Sequence, residues 1–129
     1  MKYILFILFI VPVVAFSQTE KDYKQVMDKF VEFYNNDQHD SICTLFPADQ
    51  CIWRNANPEE IKKKYGNIIS CKYLGIAKKD PEHVTIFKVV FKNMKTKAMS
   101  FTLDKENKFG TFRFDTSSDE IKKMLKKAK

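Results

Sequence analysis

Residues 84–103 read VTIFKVVFKNMKTKAMSFTL, and this stretch decides the fold. Phe87, Val89 and Phe91 alternate with Lys88, Val90 and Lys92, and Met99, Phe101 and Leu103 alternate with Ala98, Ser100 and Thr102. A period of two sends successive side chains to opposite faces of a strand. Each run therefore has one aromatic-rich face and one mixed, basic face. The connection Asn93 to Lys97 is too short for a parallel crossover, so the two strands pair antiparallel.

The same period continues on both sides. Before the stretch, Ile69, Cys71 and Tyr73 alternate with Ser70 and Lys72; after it, Phe112 and Phe114 alternate with Thr111, Arg113 and Asp115. Lys79-Asp80-Pro81 and Asp104 to Lys108 supply the remaining turns. Four strands joined by short turns form an antiparallel meander whose aromatic face needs a cover. Tyr23, Val26, Met27, Phe30, Val31 and Tyr34 recur at helical spacing and provide one. Thr19 and Asp22 open that helix as a capping box, and Asn35-Asn36-Asp37 ends it.

Between helix and sheet lie two shorter helices. The first carries Ile42, Leu45 and Phe46 and stops at Pro47. The second starts at Asn57-Pro58, where Asn caps and Pro has the first helical φ pre-set, and ends at Gly66. Ser117-Ser118-Asp119-Glu120 opens a short C-terminal helix with Ile121, Met124 and Leu125. The fold class is α+β, with a long N-terminal helix and short helices on a four-stranded antiparallel sheet.

The N-terminus reads differently from the rest. Met1-Lys2 is followed by Tyr3 to Val14, almost wholly apolar, then Ala15-Phe16-Ser17 and Gln18. That is the order of a secretory signal peptide. The apolar run falls short of the ~20 residues that span a bilayer. The expected organisation is a signal peptide over residues 1–17 and one domain over 18–129, exported to the periplasm or beyond.

Composition narrows the class of function. The chain has 129 residues, with 23 Lys+Arg against 16 Asp+Glu for a net charge of +7, and 44% hydrophobic residues. That hydrophobic share excludes a disordered chain. The charge suggests an anionic partner, such as an envelope surface. Nucleic acid is not expected, because the strand aromatics that would stack on bases fall on the buried face. Two histidines, His39 and His83, stand in separate loops without metal-ligand spacing, and no cofactor motif is present. Cys71 lies on the buried parity, where a thiol is inert, so a Cys71–His83 nucleophile is not expected.

Export favours disulfide formation. The three cysteines are Cys43, Cys51 and Cys71. A Cys43–Cys51 bridge around the Pro47 turn is favoured, with bridges through Cys71, or none, as alternatives. Trp53 stands in a polar loop beside Arg54 and Asn55, closing the bottom of the core, capping the pocket mouth or anchoring an interface.

The order of elements, with Phe30-Val31-Glu32-Phe33-Tyr34-Asn35-Asn36-Asp37, Ile42 to Phe46, Tyr65-Gly66-Asn67-Ile68-Ile69-Ser70 and the Leu103 to Phe109 turn, resembles small exported bacterial domains of unknown function in the nuclear transport factor 2-like (cystatin-like) superfold. The resemblance implies a curved sheet and a cone-shaped pocket between long helix and sheet. Phe30, Tyr34, Tyr73, Phe87, Phe101 and Phe112 would line it. Members of that superfold range from isomerases to passive binding modules. No Asp, Glu or His falls at an inward strand position, so a general base is lacking. The expected function is an exported non-catalytic binding module that uses the aromatic cone pocket or the exposed sheet face for a small ligand or protein, with a pocket isomerase or dehydratase as the alternative. The resemblance also implies homodimerisation through the mixed sheet face, where Ile76, Ile86 and Val90 would stand.

Overall fold

A computed structural model describes residues 19–77, 84–94 and 96–116, together with Lys122, Lys123 and Lys126. The expected signal peptide lies outside the described residues, as does most of the expected C-terminal helix. No helix among the described residues is long and apolar enough to cross a membrane.

Helix α1 spans Glu20–Asn35. The Thr19 hydroxyl accepts from the Asp22 amide at 3.4 Å, and the Thr19 amide donates to the Asp22 carboxylate at 2.8 Å, completing the expected capping box. Tyr23, Val26, Met27, Phe30 and Tyr34 form the buried stripe. At the far end the Lys62 ammonium donates to the carbonyls of Tyr34 (2.8 Å) and Asn35 (3.4 Å) and to the Asp37 carboxylate (2.7 Å). A cation there compensates the partial negative charge of the helix C-terminus.

Helix α2, His39–Ile42, runs into a 3-10 turn at Cys43–Leu45, and a second 3-10 turn covers Ile52–Ala56. A Cys43–Cys51 disulfide joins the two segments, with the Cα atoms 5.2 Å apart. Helix α3, Pro58–Tyr65, has Pro at its first position as expected, but Asn57 does not cap it with its side chain. Instead Asn57 adopts the left-handed conformation, φ 54°, and its carbonyl accepts from the amides of Glu60 and Ile61. Gly66 ends α3 at φ 76°, where a Cβ would meet the Asn93 amide at 2.9 Å. Only glycine suits both conditions.

The sheet contains β1 (Ile68–Ala77), β2 (Val84–Phe91), β3 (Lys97–Leu103) and β4 (Phe109–Thr116), in the order β1-β2-β3-β4 with every pair antiparallel. The architecture is thus α+β, with a four-stranded open sheet. β2 and β3 stay in register from Thr85↔Phe101 to Val89↔Lys97, and their aromatic parity is as expected.

The edge strands depart from strict alternation. On β1 the ladder passes from Ile68↔Phe91 to Ser70↔Val90, leaving Ile69 as an extra residue. Ile68 is consequently buried, and Ile69, expected inside, is 65% exposed. A second shift between Tyr73 and Gly75 leaves Leu74 extra and pairs Ile76 with Thr85, in the row of Phe101. Ile76, expected on the mixed face, therefore shares parity with the aromatic one. Ile86 does stand on the mixed face, fully buried with Ala98 and flanked by Leu74 and Val84. The patch expected there for dimerisation is thus broken up: Ile76 has left the face and Ile86 exposes nothing. β4 shifts twice as well, between Phe109 and Phe112 and between Arg113 and Thr116. At the first shift the Thr111 amide donates to the Thr102 hydroxyl at 2.8 Å.

Candidate functional site

The six aromatics expected to line a pocket come together, but as a continuous packed cluster. Phe30, Tyr34, Phe87 and Phe101 are buried, with Tyr73 and Phe112 half-buried against the same cluster. The Phe30 ring lies 5.5 Å from Trp53 and 5.4 Å from Phe112; Phe87 stacks on Phe101 at 5.7 Å; and Tyr73 meets Phe87 edge-on at 5.4 Å. Offset and edge-to-face pairs of this kind fill space while matching ring quadrupoles. The Tyr34 hydroxyl donates to the Gly66 carbonyl at 2.8 Å, fastening α1 to the entrance of β1. Burial, then Tyr65 and Asp37, hold that phenol well above its usual range, so it stays a donor.

Among the described residues, two cavities open at the helical end, one lined by Cys43 and the other by Cys51. The first, about 370 Å³, is lined by His39, Asp40, Cys43, Trp53, Arg54, Asn57, Pro58, Glu59 and Glu60. The left-handed turn at Asn57 brings the first turn of α3 over the Trp53 segment, and the disulfide holds α2 against it. Trp53 is 1% exposed and forms the floor. Its indole N–H donates to His39 Nδ1 at 3.4 Å. Around this aromatic base stand three carboxylates, Asp40, Glu59 and Glu60, and the Arg54 guanidinium. The second cavity, about 380 Å³, is lined by Phe46, Pro47, Ile52, Phe109 and Gly110 with Asp49, Gln50, Cys51 and Asn55. None of the six expected pocket residues lines either cavity.

Reactive groups elsewhere are subdued. Burial, with Asp28 adding to it, pushes the Cys71 thiol up to about 12, so it is protonated and a poor nucleophile at neutral pH. His83, its imagined partner, lies outside the described residues. The Lys62 hydrogen bond holds the Asp37 carboxyl below its usual range. Thr85 Oγ1 is buried without a hydrogen-bond partner on the aromatic side of the sheet. Among the described residues no group of three His, Cys, Asp or Glu could hold a metal ion. The chemistry on offer at the first cavity is recognition: an aromatic floor, an imidazole, and charges of both signs at the rim.

Sequence reasoning did not find this cavity. His39 reads as an exposed loop residue, and the Trp53–His39 bond spans 14 positions with no motif to announce it. The available signals were Trp53 in a polar loop and the Asn57-Pro58 helix start, which together place Glu59 and Glu60 near the indole. No family model, curated protein or solved structure matches the chain.

Proposed function

We propose that this chain is an exported, non-catalytic binding module of nuclear transport factor 2-like build, whose ligand site is the cavity floored by Trp53. One observation carries the reading. The space between α1 and the sheet is filled by rings, whereas the 370 Å³ cavity gathers convergent polar groups over an aromatic base. The ligand is a small molecule with a flat apolar part for the indole and polar groups for the charged rim. The superfold assignment is supported by the order of elements and by four register shifts, since bulges bend strands as a curved sheet requires. Export is supported by the apolar leader Tyr3 to Val14 and by a disulfide, a bond that persists in oxidising compartments.

Trp53 is the only tryptophan of the chain, so its emission reports on the site without labelling. A panel of small amines, carboxylic acids and sugars is titrated against the protein. At least one class should change that emission saturably, and Asp40→Asn with Glu60→Gln should weaken it. A panel that changes neither emission nor melting temperature at millimolar concentration sinks the proposal. Export is read separately: protein recovered from a secreting host should begin at Gln18, and an intact leader would count against it.

A further inference from the structure

The second cavity, about 380 Å³, shares no lining residue with the cavity over Trp53 and offers different chemistry. Its size falls at the low end of the ~300–1,000 Å³ typical of small-ligand sites. Phe46 and Phe109, with ring centroids 4.9 Å apart, form a buried floor. Ile52 also lines it and is 52% exposed. Ile69 owes its exposure to a register shift of β1, but Ile52 lies on no strand. Its exposure follows from the 3-10 turn that sends its neighbour Trp53 into the core. Folding thus leaves a large apolar side chain facing water beside an open cavity.

The walls are held by the fold itself. The Cys43–Cys51 disulfide ties down the start of the Ile52 turn. The Gln50 amide donates to the Pro47 carbonyl at 3.1 Å, and Asp49 holds the left-handed conformation at φ 66°. At Gly110 a Cβ would meet the Thr102 hydroxyl at 2.7 Å, so that wall is bare backbone. Walls fixed in advance lose little freedom when a ligand binds.

The polar groups of this region divide into two sets. Those outside the cavity are engaged: the Lys108 ammonium donates to the Thr44 carbonyl at 2.7 Å, and the Thr44 hydroxyl to the Ser41 carbonyl at 2.6 Å. The Thr102 and Thr111 hydroxyls bond each other at 3.1 Å. The lining side chains of Asp49, Gln50 and Asn55 are exposed and make no hydrogen bond or ion pair among the described residues. Asp49 is the only charged residue of the lining. It repels an anion, and a cation finds a single exposed carboxylate, an ion pair worth little in water. A carboxylate accepts hydrogen bonds and a carboxamide both donates and accepts, so hydroxyl groups match all three side chains. A sugar ring carries hydroxyls around its rim and apolar C–H groups on its faces. We propose that this cavity is a second ligand site, for a neutral mono- or disaccharide, with Asp49, Gln50 and Asn55 bonding its hydroxyls and Ile52 packing on a C–H face.

Glucose, galactose, N-acetylglucosamine, maltose and cellobiose are titrated to high millimolar concentration against isotope-labelled protein, observed by NMR. At least one should shift the Ile52 methyl and Gly110 amide signals saturably while the His39 and Glu59 amides stay in place. Gln50→Ala with Asn55→Ala removes two hydrogen-bonding side chains, at about fivefold each, and should weaken that sugar about 25-fold. Asp40→Asn with Glu60→Gln, in the other cavity, should leave its affinity within about twofold. Sugars that move neither the Ile52 nor the Gly110 signal overturn the proposal. So does a shift centred on His39 and Glu59, which would give the sugar to the cavity over Trp53 and leave that reading standing alone. Benzoate or benzylamine binding as tightly at Ile52 and Gly110 would mark an unselective groove. Signals there that move on dilution without sugar would mean that a second copy of the chain covers Ile52. Either result overturns the proposal too.

Discussion

Strands β2 and β3 pair from Thr85↔Phe101 to Val89↔Lys97 without interruption, while β1 and β4, at the two edges of the same sheet, each shift register twice. The difference follows from what surrounds them. β2 and β3 are buried on both sides, with Phe87, Val89, Met99 and Phe101 on the aromatic face and Ile86, Ala98 and Ser100 on the other. A one-residue slip there would turn every side chain to the wrong face, so packing fixes the register. An edge strand has one neighbour and can absorb an extra residue, and the resulting twist makes it a poor template for unwanted pairing. β1 has, besides, a partner that is not a strand. The Asn35 side chain donates to the Ile68 carbonyl at 3.0 Å and accepts from the Ile68 amide at 2.8 Å, standing in for a ladder residue beside the first shift.

The contrast is most open to attack at Phe101. Phe101→Ala removes a fully buried ring stacked on Phe87 and should cost about 3–5 kcal/mol by urea denaturation. A loss under 1 kcal/mol would mean that the central strands are not the rigid part of the sheet. Asn35→Ala leaves the Ile68 amide and carbonyl without their partner and should cost about 1–3 kcal/mol. Amide exchange should then quicken at Ile68 and Ser70 and stay unchanged at Phe87 and Val89. Uniform quickening would show that edge and centre open together.

A smaller effect separates the strands by pH. Folding raises the Cys71 pKa from 9.0 to about 12, chiefly by burial. The protonated thiol is the form the fold accepts, so its stabilisation is complete below pH 9 and drains away as pH rises toward 12. Cys71→Ala should flatten the loss of urea midpoint above pH 9; an unchanged slope would place the alkaline sensitivity elsewhere, with Tyr34 next, since its pKa is raised too. Least of all, Ile69→Thr at the exposed bulge position should change stability by less than about 0.5 kcal/mol. A cost above 2 kcal/mol would mean that the side chain is packed.

The sequence made the centre of the sheet readable and the edges only partly so. Alternation over 84–103 identified both faces of β2 and β3, because burial on the two sides imposes it. Alternation also placed Cys71 and Tyr73, which pair with Val89 and Phe87, but it misplaced Ile69 and Ile76. Their positions depend on register shifts favoured by contacts distant in sequence, including the Asn35 clamp 33 residues upstream of Ile68. Local signals fared well where the chemistry is local: the Thr19–Asp22 capping box, Pro58 at the start of α3 and Gly66 at its end. Asn57 shows the boundary of that success. Its type suits a helix start, but the choice between side-chain capping and a left-handed turn is made by the fold around it. The aromatic residues were identified correctly as a group, yet whether a ring lines a void or fills it depends on packing that no spacing records. The His39–Trp53 pair and the cavity above it are invisible for the same reason.

The strand order carries a kinetic consequence. Each strand pairs with its neighbour in sequence, so the sheet can assemble by successive hairpin closures, each over a short loop. The Cys43–Cys51 loop closes over only 8 positions and does not wait for the sheet. The costly closures are those that bring the end of α1 to the entrance of β1, through Tyr34 to Gly66 and Asn35 to Ile68, across 32 and 33 residues. The rate-limiting event of folding is therefore expected at that junction, where a helix end, a glycine turn and the first bulge meet.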